Sequence, residues 1–354
     1  MSSNPNANDL AGAGLLIGSF PHRDHREATD LILKYTPEIP CWPQLPARGE
    51  GMLVQFSRGL PGFDPEGLRV DPEAPNFEEE KLRFYEEYLA VTEAGRPLSE
   101  TRFALSPEET PGLYVLLEEA RGGNFLAVKG QITGPFTLAT GLKFSDGRAL
   151  FYDPEMRDMV GRLVALKARF QIETLKALSP RVILFLDEPA LSGFGSSAFV
   201  GVSREEVLAS LAEVIREIHR AGGLAGVHVC GNTDWSLLLE SPFEIINFDA
   251  YDFSEKFISY AQELKEFFIR GGWVAWGLVP TLRKEALEKE TVEGLFQKFR
   301  SLIQGLAEKT GLAEELLLQR SLLTPSCGMG TLSLSLTLKA LELLKGLSER
   351  VKNS

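Results

Sequence analysis

The chain has 354 residues, 44% of them hydrophobic and 24% charged, with a formal net charge of −12. That suits one large α/β barrel or two medium domains with a sizeable core. The acidic balance argues against a general nucleic-acid grip, which needs basic stripes to displace counterions. No run approaches the roughly eighteen apolar residues that span a membrane.

Residues 1–14, MSSNPNANDLAGAG, have neither a basic n-region nor an apolar h-region, so a disordered leader is expected rather than a secretory signal. Three cysteines make no disulfide framework, and an odd count fits a reducing cytosol. A soluble cytoplasmic protein is therefore expected. From residue 15 onward, short β-rich runs alternate with helical stretches. The candidates are 15–20, 38–45, 124–130, 181–187, 224–229, 244–249, 273–278 and 321–326. About eighty residues separate the second candidate from the third, far more than an ordinary loop. This 46–124 interval holds a Gly/Pro-rich part (46–75) and helical stretches near 77–95 and 107–121, and reads as a lid over a barrel mouth or as a peripheral ornament. Two capping boxes are predicted, Ser106 with Glu109 and Ser203 with Glu206. Residues 155–178 put Met159, Leu163, Leu166 and Phe170 on one helical face.

Eight strands alternating with helices predict a (β/α)8 TIM barrel over 15–354, with the long insertion between strands 2 and 3. An open doubly wound sheet is the alternative. The barrel is preferred because the chemically unusual residues fall at the C-terminal ends of many strands.

The first such group is His228-Val229-Cys230. Residues i and i+2 of a strand share a face, so imidazole and thiol converge as the strand enters its loop. Cys327 follows the last candidate in a Gly-rich turn, and N/S ligation by these three favours zinc with an open, catalytic position. The bland alternative is a core histidine beside buried thiols. Cys41, between Pro40 and Trp42, reads as a packed structural thiol. Asp187-Glu188-Pro189 follows the fourth candidate, where a carboxylate could bind a substrate amine or act as general acid or base, or simply open the next helix. Gly18-Ser19-Phe20-Pro21 could hold a substrate carboxylate, and Lys129-Gly130-Gln131-Ile132-Thr133-Gly134-Pro135 suits close approach of a ligand to backbone.

Taken together, Ile17 to Pro21, Lys129 to Pro135, Asp187 to Ala190, His228 to Cys230 and Pro325 to Gly328 resemble the C-terminal catalytic barrel of cobalamin-independent methionine synthase. That barrel lies within the uroporphyrinogen decarboxylase and methionine synthase-like superfamily. The pieces span 15–330 in the family's order. The resemblance implies an enzyme, a single-barrel core methionine synthase. Zinc held by His228, Cys230 and Cys327 would stabilise the thiolate of homocysteine for attack on a methyl group. It also implies Asp187 on the substrate amine and Ser19 on its carboxylate. The family's fourth zinc ligand, a glutamate, corresponds to Asp249, and a second amine-binding glutamate to Gln55. The full-length synthases carry a second barrel for folate. Here a methyl-corrinoid protein is the expected donor partner, with methyl-folate as the other choice. The competing readings are a methyltransferase for another small thiol and a non-catalytic zinc- or corrinoid-binding protein on the same barrel.

Overall fold

The structure, a computed structural model, describes residues 7–354; the opening of the expected leader, residues 1–6, lies outside them. Six of the β-rich runs form strands: β1 (Val128–Thr133), β2 (Val182–Asp187), β3 (Leu224–Val229), β4 (Ile245–Phe248), β5 (Trp273–Val279) and β6 (Ser321–Pro325). They pair in chain order, all parallel, with helical segments in the connections between them. β1 starts at Val128 rather than 124 because the amides of Leu126 and Ala127 are both committed to the carbonyl of Glu38.

The expected eight regular strands are thus six, in one curled sheet. The first two candidates are extended segments held by single parallel bridges: Gly14 to Leu323 of β6, Ser19 to Gln44, and Cys41 to Lys129 of β1. Sequence explains the missing ladders. Pro40 and Pro43 have no N–H to give a neighbouring strand. Gly18 sits at φ +136°, and a Cβ there would lie 2.7 Å from the Gln131 side chain. Residues 7–14 of the expected leader form a short 3-10 helix (Ala7–Leu10) followed by a turn, with Gly12 N–H donating to Ser321 O at 2.8 Å.

Side-chain alternation splits the apolar residues into two cores. Ile183 and Phe185 of β2 join Leu15, Ile39, Ala127, Ile245, Trp273 and Leu322 inside the curl. Leu184 and Leu186 face the surrounding helices instead. Each fully buried Ile or Phe of this kind contributes about 1.5–3 kcal/mol. The inward parity, carried to the C-terminal strand ends, delivers Asp187, His228, Asn247 and Thr324 to one mouth.

Helix Pro154–Leu175 follows the N-cap of Asp153 and buries Met159, Leu163, Leu166 and Phe170, as its spacing predicts. The Ser203–Glu206 capping box opens helix Arg204–Arg220. Ser106 and Glu109 also form their reciprocal bonds, 3.0 and 3.3 Å, but close only a turn. Pro111 cannot sit inside a helix begun at 107, so the helix starts there instead, as Pro111–Glu119. Within the insertion, helix Phe77–Thr92 lies on the outer wall, with Lys81 on Glu155 (2.7 Å) and the Tyr88 hydroxyl donating to Glu213 (3.3 Å). Helix Met52–Ser57 instead meets the end of β1, where Thr133 Oγ1 donates to Met52 O at 2.9 Å. Among the described residues, no helix is long and apolar enough to cross a membrane.

Candidate metal centre

His228 occupies the penultimate position of β3, with its ring in the sheet's interior. Val229 turns outward into the helical core, and Cys230 returns to the inner side one residue past the strand. Cys327 lies two residues beyond β6. One ligand atom from each of His228, Cys230 and Cys327 lies within 4.8 Å of the others. A trio of imidazole and thiol donors at that spacing can hold a metal ion.

The Cys327 turn is built by packing. A Cβ on Gly328 would fall 1.9 Å from Ser19 Oγ, so glycine lets the Ser19 segment press against it. Thr281, just past β5, grips the turn twice: its Oγ1 donates to Cys327 O (2.9 Å) and accepts from Cys327 N–H (3.0 Å). On β4, Asn247 is fully buried, and its Oδ1 lies 2.5 Å from His228 Nδ1. The other ring nitrogen, Nε2, is buried and has no hydrogen-bond partner among the described residues. An orphan of this kind is costly unless a ligand takes it, which fits a metal site.

The electrostatics agree with that fit. The Cys327 thiol donates to Cys230, and this bond, with His228 nearby, outweighs burial to hold the Cys230 thiol well below the usual thiol range. Cys327, the partner that keeps the proton, is pushed up. Burial lowers His228, but Cys230 and Asp187 beside it win, and the net shift is upward. Burial pushes Asp187 up to about 6 against the pull of His228 and Lys129, and its Oδ1 has no hydrogen-bond partner among the described residues. Cys41 is fully buried and its thiol pushed up to about 11, as suits a packing residue.

The remaining expected residues stand outside the three-donor group. Asp249 lies outside the three-donor group; it caps helix Ala250–Ile258, accepting from Asp252 N–H at 3.2 Å, and burial raises it to about 7. Gln55 is buried in helix Met52–Ser57, with its Oε1 accepting from Gln44 (2.6 Å) and its Nε2 donating to Glu109 O (2.9 Å). Ser19 is half-buried, and its carbonyl accepts from Met329 N–H at 2.9 Å. Glu188 turns away from the donors: it is fully buried, accepting from Phe136 N–H, Thr137 N–H and Thr137 Oγ1 at 3.0, 2.7 and 2.6 Å. Sequence reasoning missed Asn247 and Thr281. The signal for the first was a polar residue at an inward position of an otherwise apolar strand; Thr281 gave none.

No family model matches the chain, and no curated protein matches it. Among solved structures, a methyltransferase from Methanosarcina mazei superposes over 98% of this chain and 90% of its own, with a TM-score of 0.52 and 14% identity. A B12-independent methionine synthase from Shewanella sp. W3-18-1, in complex with selenomethionine, matches over 67% of each chain, with a TM-score of 0.46 and 20% identity. The first likeness is one of fold.

Proposed function

We propose that this chain is a zinc-dependent methyltransferase that moves a methyl group onto a thiol, with homocysteine as the thiol and methionine as the product. The observation that carries the reading is the trio His228, Cys230 and Cys327, converging within 4.8 Å from two strand ends, with the buried Nε2 of His228 left without a hydrogen-bond partner among the described residues. Zinc bound by these residues would stabilise a substrate thiol as thiolate at neutral pH. The chain's own groups do the rest. Asp187, one strand over from His228 and with Oδ1 free, takes the substrate ammonium; Ser19, against the Cys327 turn, lies where its hydroxyl can hold the carboxylate. The thiolate sulfur forms the new S–C bond as the methyl carbon parts from its donor, and the electron pair of the old bond leaves with the donor. A methyl-corrinoid protein is the preferred donor and methyl-folate the second. Asp249 joins the ligands only by turning from its cap on Asp252 N–H. The curl of six strands with two bridged segments reads, in this account, as a TIM barrel whose first two staves are irregular. The shared fold with the Methanosarcina mazei methyltransferase is compatible with this reading and adds nothing about substrate.

The test is metal analysis followed by assay. Purified protein should carry about one zinc per chain, and Cys230→Ser or Cys327→Ser should lose most of it while keeping the fold. With homocysteine and methylcobalamin or a methyl-corrinoid protein, the wild type should form the thioether by mass spectrometry. Full zinc in both variants, or no thioether from any donor, would overturn the proposal.

A further inference from the structure

Asn247 has three polar neighbours, and their chemistry permits only one orientation of its amide. Nδ2 lies 2.7 Å from Ala275 O and 2.7 Å from Thr324 Oγ1, while Oδ1 lies 2.5 Å from His228 Nδ1. A backbone carbonyl only accepts, so the atom facing Ala275 must be the NH2 group. Reversing the amide would set two acceptors against each other in a fully buried place. The carbonyl therefore faces the histidine, and a carbonyl can only accept. His228 must carry its proton on Nδ1.

We infer that Asn247 is a positioning residue: it holds neutral His228 in the Nδ1–H tautomer, so that the lone pair of Nε2 is presented to the two thiols. The geometry is held from both sides. Asn247 sits opposite His228 in the β3–β4 register and opposite Ala275 in the β4–β5 register, and its second N–H reaches β6. One amide thus ties together β3, β5 and β6, of which the first and last lead directly into the cysteine-bearing turns. A leucine of similar size would fill the volume and lose the instruction. This assignment rests on the reading of His228, Cys230 and Cys327 as metal ligands, but the tautomer itself does not.

Two measurements separate those layers. In zinc-free wild-type protein at alkaline pH, 15N NMR of the ring, assigned with a His228→Ala control, should show Nδ1 protonated and Nε2 bare. Asn247→Leu should lose that preference and weaken zinc binding about 10- to 100-fold in competition with a chromophoric chelator. Asn247→Asp can accept from the ring with one oxygen and, protonated on the other, donate to Ala275. It should keep the tautomer and bind zinc close to the wild type. A wild-type proton on Nε2 overturns the inference. So does an Asn247→Leu protein with undiminished zinc affinity, or an Asn247→Asp protein as weak as the leucine variant. Should Asn247→Leu not fold, the wild-type spectrum and the aspartate variant still decide. A wild type that binds no zinc yet holds the Nδ1–H form overturns the metal reading, and with it the positioning role, and leaves only the tautomer standing.

Discussion

The donor cluster at the ends of β3 and β6 and the amide of Gln55 in the insertion are both polar groups taken from water, and they differ in what they meet there. Gln55 is matched on both sides, by Gln44 and by the carbonyl of Glu109. Among the described residues, His228 Nε2 and Asp187 Oδ1 have no hydrogen-bond partner. An unpartnered buried polar atom costs about 1–3 kcal/mol, which natural folds rarely leave uncompensated. A matched one costs little and serves as a brace. The contrast separates a place open to a ligand from one that holds the chain together, although both lie near strand ends of the same sheet.

The largest effect that sharpens the contrast is expected at Asp187. Asp187→Asn should raise KM for an amino-thiol about 10- to 150-fold, the equivalent of about 1.5–3 kcal/mol for a charged hydrogen bond, with zinc content unchanged. A thiol lacking the amine should be indifferent. Equal losses for both thiols would move Asp187 from the unmatched class to the structural one. The sign of the pH dependence follows from burial, which lifts its carboxyl from 3.8 to about 6. The carboxylate proposed to hold the ammonium forms as pH rises through that value, so affinity for the amino-thiol should climb from pH 5 to pH 7.

Glu188 is next, on the matched side of the line. Its two oxygens accept from two backbone N–H groups and a hydroxyl at the start of helix Pro135–Gly141. Gly134 makes room for it, since a Cβ there would sit 2.2 Å from Oε1. Glu188→Gln points an NH2 at donors and should destabilise the fold by about 1–3 kcal/mol in urea melts, with zinc retained. Burial raises Glu188 from 4.5 to about 7. A group whose folded pKa is raised stabilises most below its unfolded pKa, and that contribution fades as pH rises through the folded one. The advantage of wild type over Glu188→Gln should therefore shrink between pH 4.5 and 7. A constant difference would mean that Glu188 stays ionised throughout.

The half of the fold from β2 to β6 was legible in the sequence because its strands are short, mostly apolar runs buried on both faces. Alternation then located His228 and Cys230 without further help. The half that begins the chain was legible in position but not in form. Its β-rich runs lie in the sheet's gap, yet prolines and Gly18 reduce them to single bridges, and a run of residue types does not reveal which amides find partners. Supporting residues were hidden for a related reason. Asn247 and Thr281 act through bonds to chain segments 19 and 46 residues away, and only the register brings those segments together. The Ser106–Glu109 box shows the opposite error: the local signal was right and Pro111 decided where the helix began.

The smallest effect is expected at Gln55, where the two sides of the contrast meet in one residue. The methionine synthase-like resemblance puts a carboxylate there to hold the substrate amine, whereas the fold uses the amide as a brace. Gln55→Glu separates these roles because only one of the two braces survives it. An oxygen in place of Nε2 would face the carbonyl of Glu109, so that bond, now 2.9 Å, becomes a repulsion. The bond from Gln44 is retained and strengthened by charge. The net cost should be about 1 kcal/mol of stability, the worth of one ordinary hydrogen bond, read as a lower urea midpoint. The new charge should at the same time lower KM for an amino-thiol modestly, since Coulomb attraction near an open mouth acts through a high effective dielectric. A lower midpoint with KM unchanged would confine Gln55 to bracing helix Met52–Ser57, and the amine would then be held by Asp187 alone. A higher KM would show that the brace itself shapes the substrate site.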